Sequence, residues 1–307
     1  MDITAFREEH LDAAAELLAE RHAAHRAAEP LLTSEPDFRA ELEALWAKDG
    51  ASGAFCSDGY ILGTRLDQLW GPNAWVELAG HGVRRPELVR DLYAAAAERW
   101  VAEERTRHYA YVPNDPELVD AWFRVGFGAQ HAFGIRSLDV EDPPAPDVVI
   151  ARPAEERDLE AMVEVGPELG RHQSLSPVFA DFRPDDEDEL REEIRSDLQN
   201  PEIGNLVAEV GGRVVGNFVV VPIELSGAHV GLARPPGFAH LGYAAVLPQA
   251  RGSGAGIALT AASFRWARER GYDAMVTDWR VTNLLSSRFW PKRGFRTTFL
   301  RLYRSIP

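Results

Sequence analysis

The stretch that decides the fold is Val246-Leu-Pro-Gln249-Ala-Arg251-Gly252-Ser253-Gly254-Ala-Gly256-Ile-Ala-Leu259. Its pattern predicts a strand that ends in a glycine-rich turn, followed by an alanine-rich helix of about four turns. The three glycines leave backbone N–H groups unshielded at a helix N-terminus, where the helix dipole favours an anion. Arg251 adds a positive charge. The stretch therefore predicts a phosphate cradle, with a purely structural turn as the alternative.

The spacing of the glycines distinguishes among the known kinds of phosphate-binding loop. A dinucleotide fingerprint needs Gly-x-Gly-x-x-Gly, and a P-loop needs a Lys-Ser/Thr pair, which this loop lacks. Gln249-x-x-Gly252-x-Gly254 after Val-Leu-Pro instead resembles the coenzyme A loop of the GNAT superfamily of N-acyltransferases.

Residues on both sides of the loop extend the resemblance. Asn283, Trp290 and the pair Gly294-Phe295 fall where GNAT domains typically place an Asn, a Tyr and a Gly-Phe pair. Residues 150–159 look like the opening strand and first helix of the family. The resemblance covers about residues 148–307.

The resemblance implies that this half of the chain binds acetyl-CoA or another short acyl-CoA as co-substrate. The implied coenzyme-binding residues are Val246, Leu247, Gln249, Arg251, Gly252, Ser253, Gly254, Ala255, Gly256, Ile257, Asn283 and Trp290.

Some of these residues have expected roles of their own. The family's fold implies that the strand near Val246 splays from its neighbour and exposes N–H groups to the pantetheine arm and the thioester oxygen. Val246 and Leu247 are the candidate donors because Pro248 has no N–H, and packing at a strand end is their alternative role. Asn283 is expected to contact the pantetheine or an ordered water, or to cap a helix.

A base is needed because an ammonium group has no lone pair with which to attack a thioester. His240, at the start of the strand that enters the loop, is the predicted general base, since its ordinary pKa lies near neutral pH. A solvated or packed histidine is the competing interpretation. Glu224 on the preceding strand and Asp278 on the next are alternative bases.

Trp290 is a departure from the family pattern. Many GNAT enzymes have a Tyr at this place that protonates the leaving thiolate, and an indole N–H is too weak an acid to do so. We therefore expect Trp290 to be an apolar plug, and we expect Ser286, Ser287 or water to supply the proton.

The chain reads as two halves built on one plan. The proline-rich acidic segment 141–147 predicts a linker between an N-terminal domain, residues 1–140, and a C-terminal domain, residues 148–307. Three matched features lie 168 residues apart: Trp122 and Trp290, Gly126-Phe127 and Gly294-Phe295, and Arg136-Ser137-Leu138 and Arg304-Ser305-Ile306. Such coincidences indicate a duplicated fold.

The first half lacks the cradle. At the loop position it reads Arg84-Arg85-Pro86-Glu87-Leu88, where the proline removes a donor, the glutamate brings a negative charge and the leucine blocks close approach. We expect a degenerate domain that serves as scaffold or substrate wall, with a second active site as the alternative. The predicted fold class is α/β in the layered α+β sense: two GNAT folds in tandem, each with a mixed, mostly antiparallel central sheet flanked by helices.

Composition limits the other possibilities. The 307 residues suffice for two domains. No apolar run approaches the roughly 20 residues of a membrane span, and the N-terminus does not resemble a signal peptide, so a cytoplasmic protein is expected. The single cysteine, Cys56, excludes an internal disulfide, and no Cys/His spacing predicts a metal site.

The net charge of −15 argues against nucleic acid or an anionic membrane as partner. It is compatible with a cationic amine acceptor. Residues 185–198 predict a solvated acidic helix, with attraction of a cationic substrate as its alternative role.

These observations predict an N-acetyltransferase that moves an acetyl group from acetyl-CoA to a primary amine of a small molecule by direct attack. Two alternatives stay open: a non-catalytic acyl-CoA-binding or regulatory protein, and an enzyme that modifies a protein N-terminus or lysine. The oligomeric state is open as well, a homodimer included.

Overall fold

The computed structural model describes residues 2–66, 70–142, 144, 146, 148–184 and 186–307. The chain forms two compact units. The first comprises Met1–Phe133, Val230–Pro235 and Thr297–Pro307, and the second comprises Gly134–His229 and Pro236–Arg296. Each unit therefore takes chain from both halves of the sequence.

The predicted linker, residues 141–147, falls partly on positions without a description. Pro143, Ala145 and Asp147 lie outside the described residues, as does Asp185 of the predicted acidic helix. The linker and the domain bounds drawn from it stay predictions.

The first unit contains a four-stranded antiparallel sheet in the order β1-β2-β3-β5, and a second group of strands in which β6 pairs with β4 in parallel and with β13 in antiparallel. Its elements are β1 (Thr4–Ala5), α1 (Leu11–Ala28), α2 (Phe38–Trp46), β2 (Ser52–Cys56), β3 (Gly59–Gly63), β4 (Asn73–Val76), β5 (His81–Val83), α3 (Leu88–Ala102), β6 (Arg107–Pro113), α4 (Pro116–Phe123), the first part of β7 (Gly128–Ser137) and nearly all of β13 (Arg296–Ser305).

In the second unit the strand order is β12-β11-β10-β9-β8, and only the β11–β12 pair is parallel. Its elements are β8 (Val149–Pro153), α5 (Leu159–Val165), α6 (Glu168–Ser174), α7 (Glu187–Gln199), β9 (Gly204–Val210), β10 (Arg213–Pro222), β11 (Ala239–Val246), α8 (Ala255–Glu269), β12 (Ala274–Arg280) and α9 (Ser286–Phe289), together with the end of β7. The predicted class, a mixed and mostly antiparallel sheet with helices in each unit, is confirmed.

Local sequence explains several of these elements. Gly211 and Gly212 connect β9 and β10 with φ values of +58° and +79°, the combination that a tight hairpin turn needs to match the twist of its strands. Gly254, with φ of +94°, caps the start of α8. Glu224, expected on a strand, lies instead in a short 3-10 helix after β10, because Pro222 ends that strand.

The matched features of the two halves have matched surroundings. Trp122 meets Phe127 edge to face at 4.9 Å, and Trp290 meets Phe295 edge to face at 5.6 Å. The glycines between them, Gly126 and Gly294, have φ values of +86° and +83°. The repeat in the sequence is thus a repeat of packing.

Arg136 and Arg304, which lie 168 residues apart, each pack beside the glycine of the other half of the sequence. A Cβ on Gly126 would lie 3.3 Å from Nε of Arg304, and a Cβ on Gly294 would lie 3.3 Å from Nε of Arg136. In each unit, the glycine therefore contacts an arginine that comes from the other half of the sequence.

None of the helices among the described residues has the length and apolar composition needed to cross a membrane.

A buried histidine makes the stability of the first unit depend on pH. Nδ1 of His108 accepts a hydrogen bond from the Tyr93 hydroxyl at 2.7 Å, and its Nε2–H donates to the carbonyl of Arg105 at 2.9 Å. Burial lowers the pKa of His108 to about 4. The unfolded chain takes up this proton near pH 6.5, so the folded state loses stability as the pH falls from about 6.5 to about 4.

We predict that His108→Gln makes the stability of the protein less sensitive to acid. The variant should lose on the order of 3 kcal/mol less than the wild type between pH 7 and pH 4, because it removes a group that only the unfolded chain protonates in that range. Urea unfolding at a series of pH values measures the difference. Equal slopes for the two proteins would contradict the prediction.

Candidate active site

The glycine-rich turn presents open backbone donors at the N-terminus of α8. Gly252 and Gly254 have φ values of +86° and +94°, a region that side chains rarely adopt. Among the described residues, the N–H groups of Gly252, Gly254 and Gly256 make no hydrogen bond. Three donors therefore have no partner among the described residues where the helix dipole is positive, and Pro146 packs against Gly254, since a Cβ on that glycine would overlap the proline ring.

The amides between these glycines are used within the turn. The N–H of Ser253 donates to the carbonyl of Ala250 at 3.2 Å, and the N–H of Ala255 donates to Oγ of Ser253 at 3.3 Å. The N–H of Ile257 donates to the carbonyl of Gly254 at 3.0 Å. These bonds fix the turn, and the glycine amides are left to a ligand.

Two side chains border the turn. Gln249 is exposed in the short 3-10 helix that precedes it. Nη2 of Arg251 lies 3.9 Å from Oε2 of Glu168, and the arginine side chain is 38% exposed. An ion pair this long, with the arginine at the surface, contributes little, so Arg251 is available to a phosphate.

The strand that leads into the turn leaves its neighbour early. β11 pairs with β12 only along Ala239–Leu241, opposite residues 275–277. On its other edge β11 stays paired with β10 as far as Val246, with a bulge at Gly242. Beyond Leu241, β11 therefore has an edge without a ladder on the side of β12.

One of the two candidate donors in this strand is occupied. The N–H of Leu247 donates to the carbonyl of Val215, on β10, at 2.8 Å. Successive N–H groups of an extended strand point to opposite edges, so the N–H of Val246 points to the edge that β12 has left. Val246 is thus the donor that the geometry favours.

His240 lies at the place where the two strands separate. It is 6% exposed, and its Nε2 lies 3.4 Å from Oδ1 of Asp278. Its Nδ1 has no hydrogen-bond partner among the described residues. A Cβ on Gly242 would lie 3.3 Å from that Nδ1, so the glycine lets the ring lie close to the backbone, and the nitrogen is buried there.

A second histidine joins this pair. The ring of His229 lies 4.7 Å from the ring of His240, and one ligand atom from each of His229, His240 and Asp278 lies within 4.8 Å of the others. Spacing along the chain did not indicate this group, because His229 lies in a loop after β10 and carries no motif.

Asn283 has contacts that explain its burial. Its Oδ1 accepts hydrogen bonds from the N–H of Leu285 at 3.1 Å and that of Ser286 at 3.4 Å, which is the capping role left open by the sequence. Nε2 of His172 lies 3.2 Å from the same oxygen. Ser287 is partly buried in α9.

Trp290 packs as an aromatic plug. It is 5% exposed and lies between Phe218, Phe289 and Phe295, with ring centroids 6.0, 4.9 and 5.6 Å away. These contacts favour the packing role expected from the departure at this position.

The corresponding turn of the first unit has different chemistry. Helix α3 starts at Leu88, and Glu87 at its cap pairs with Arg90 at 2.6 Å. A carboxylate thus lies at the helix end where the phosphates of a coenzyme would have to bind. This arrangement favours the expectation that the first half lost its coenzyme site.

Comparisons with known proteins found a family match and similar folds. Residues 172–295 match the model of the acetyltransferase (GNAT) family. No curated protein sequence matches the chain with significance.

Solved structures share the fold over almost the whole chain. A GCN5-related N-acetyltransferase from Sphaerobacter thermophilus is 17% identical, with a TM-score of 0.60 and coverage of 99% of this chain and 95% of that one. A tandem GNAT protein from the clavulanic acid biosynthesis pathway is 15% identical, with a TM-score of 0.50 and coverage of 99% and 98%. A GCN5-related glucosamine N-acetyltransferase region of a fungal multi-domain protein is 15% identical, with a TM-score of 0.53 and coverage of 98% and 38%.

We predict that Trp290→Ala destabilises the protein by about 3–5 kcal/mol, because it leaves a cavity between three aromatic rings. Trp290→Phe should cost less, since it keeps a ring in place. Urea unfolding measures both variants. If Trp290→Ala unfolded at the wild-type midpoint, the plug role would be wrong.

Proposed function

Because residues 172–295 match the model of the GNAT acetyltransferase family, we propose that the protein transfers an acetyl group from acetyl-CoA to the primary amine of a small molecule. The observation that carries the proposal is the set of open N–H groups at Gly252, Gly254 and Gly256. They suit the diphosphate of the coenzyme, and Arg251 adds a charge beside them.

The open edge of β11 suits the thioester. The amine attacks the carbonyl carbon directly, so a C–N bond forms while the C–S bond breaks and the electron pair leaves with sulfur. The N–H of Val246 is the proposed donor to the oxyanion that develops, and one such donor is worth roughly 3 kcal/mol of barrier.

His240 is the proposed general base. In the neutral ring, an Nε2–H directed at Asp278 leaves the lone pair on Nδ1, beside Gly242. That nitrogen accepts the proton of the attacking amine, and Asp278 favours the imidazolium that results. The departing thiolate takes a proton from Ser287 or water, since Trp290 is not acidic enough to supply one.

The proposed acceptor is a small cationic amine. The net charge of −15 attracts a cation. The part of the charge nearest to the site includes Glu168 and Asp278, which lie beside Arg251 and His240.

A second candidate function is acyl-CoA binding without transfer. Trp290, packed among three aromatic rings where many family members have an acidic tyrosine, favours it. Release of CoA thiol in the presence of a panel of primary amines distinguishes the two, because only the enzyme produces thiol in proportion to the amine consumed.

We predict that Arg251→Ala combined with Gly252→Glu abolishes acetyl-CoA binding. The double change removes a cation and places a carboxylate among the open N–H groups. A Cβ on Gly252 meets no atom within 4 Å, so the new side chain has room, and its φ of +86° makes the substitution a strained one that the control must match. Titration calorimetry measures the affinity.

The chain offers a matched control at the other end of α8. Arg270 and Gly271 are the same pair of residues, and Gly271 has φ of +80° and open space around its Cα. Arg270→Ala with Gly271→Glu makes the same change in charge and should keep wild-type affinity. Undiminished binding by the variant at residues 251 and 252 would refute the proposed cradle.

We also predict that His240→Ala lowers kcat at least about tenfold and keeps the affinity for acetyl-CoA, because it removes the base and leaves the loop intact. Thiol release is measured with the amine that gives the fastest turnover in the panel. Glu224→Gln tests the exposed alternative: a loss of turnover there, with His240→Ala fully active, would assign the base to Glu224.

A further inference from the structure

Three ligand-type side chains meet at the point where β11 leaves β12. They come from separate segments: the loop after β10, the start of β11 and the end of β12. His229 and His240 are 1% and 6% exposed, and Asp278 is partly buried. One ligand atom of each lies within 4.8 Å of the other two. We propose that His229, His240 and Asp278 bind a divalent cation of the zinc class.

The separation of the donor atoms fits an ion. Nε2 of His240 and Oδ1 of Asp278 are 3.4 Å apart, whereas charge-assisted N–H···O bonds are about 2.7–2.9 Å long. Two ligands on one tetrahedral zinc, each with a bond of about 2.0–2.1 Å, are about 3.4 Å apart. The separation of this pair matches that of two ligands on a shared ion, and the ligand atom of His229 lies within 4.8 Å of both.

The two histidine rings have a suitable arrangement as well. Their centroids are 4.7 Å apart and their planes are tilted by 57°. Oγ of Ser226 lies 3.4 Å from Nδ1 of His229. This contact places a polar group beside the ring nitrogen away from the ion, where ligating histidines have their outer partners.

The donor set selects the class of ion. Two imidazoles and one carboxylate suit zinc and its neighbours in the first transition row, whereas magnesium and calcium prefer oxygen ligands alone. Three protein ligands leave the fourth position of a tetrahedral ion to water or to a substrate.

An ion at this site has a consequence for the reaction. A neutral imidazole carries one proton, so coordination through Nε2 of His240 places that proton on Nδ1. The ring then has no lone pair to accept a proton from an amine, and zinc inhibits acetyl transfer. This consequence rests on the proposed function, whereas ion binding itself does not.

The test uses the full chain without a histidine tag, stripped of metal, and titrates it with zinc chloride by calorimetry. We expect one ion per chain and no comparable binding of magnesium chloride. His229→Gln and Asp278→Asn should each weaken zinc binding by more than the roughly 10–100-fold that loss of an outer partner costs. His172→Gln, at a histidine of the same unit outside the group, should bind zinc as the wild type does.

Two measurements keep the proposal open to refutation. Circular dichroism without metal establishes that each variant is folded, and cobalt chloride as a probe should give the intense visible bands of four-coordinate Co²⁺ only when all three ligands are present. The absence of saturable binding of one zinc per chain, or wild-type affinity in folded His229→Gln, overturns the site. Zinc that binds without slowing thiol release refutes His240 as the base and leaves the site in place.

Discussion

The early separation of β11 from β12 is the constraint on which the second unit depends. Only three residues of each strand pair, up to Leu241. This leaves the N–H of Val246 on an open edge, places the bulge at Gly242 and brings His240 to the vertex of the opening. A fully paired strand would use the same N–H groups in a ladder, and no donor for an oxyanion would exist.

The parts of this arrangement that depend on local chemistry could be predicted from the sequence. A turn that needs positive φ selects glycine. Gly211-Gly212 therefore predicted a hairpin, and the loop from Gly252 to Gly256 predicted the start of a helix. Helix α8 was also predicted, because its alanine-rich sequence comes directly after the glycine loop. In these places the residue and the backbone conformation determine each other.

Other features depend on residues that are distant in the chain. The N–H of Leu247 was an expected donor, but the carbonyl of Val215 across the sheet already accepts it. His229 could not be linked to His240 and Asp278, since only the fold brings these positions together. The division of the chain into its two units was hidden for the same reason, because strand exchange leaves no mark on local periodicity.

The exchange of Arg136 and Arg304 has a consequence for how the protein can be divided. The glycine that precedes Phe127 rests against an arginine near the C-terminus, and the glycine that precedes Phe295 rests against one from the first half. A protein cut within residues 141–147 would yield two fragments, each holding a piece that the other requires. The half without a cradle therefore carries part of the unit that holds the cradle, and removing it from the gene would leave that unit incomplete.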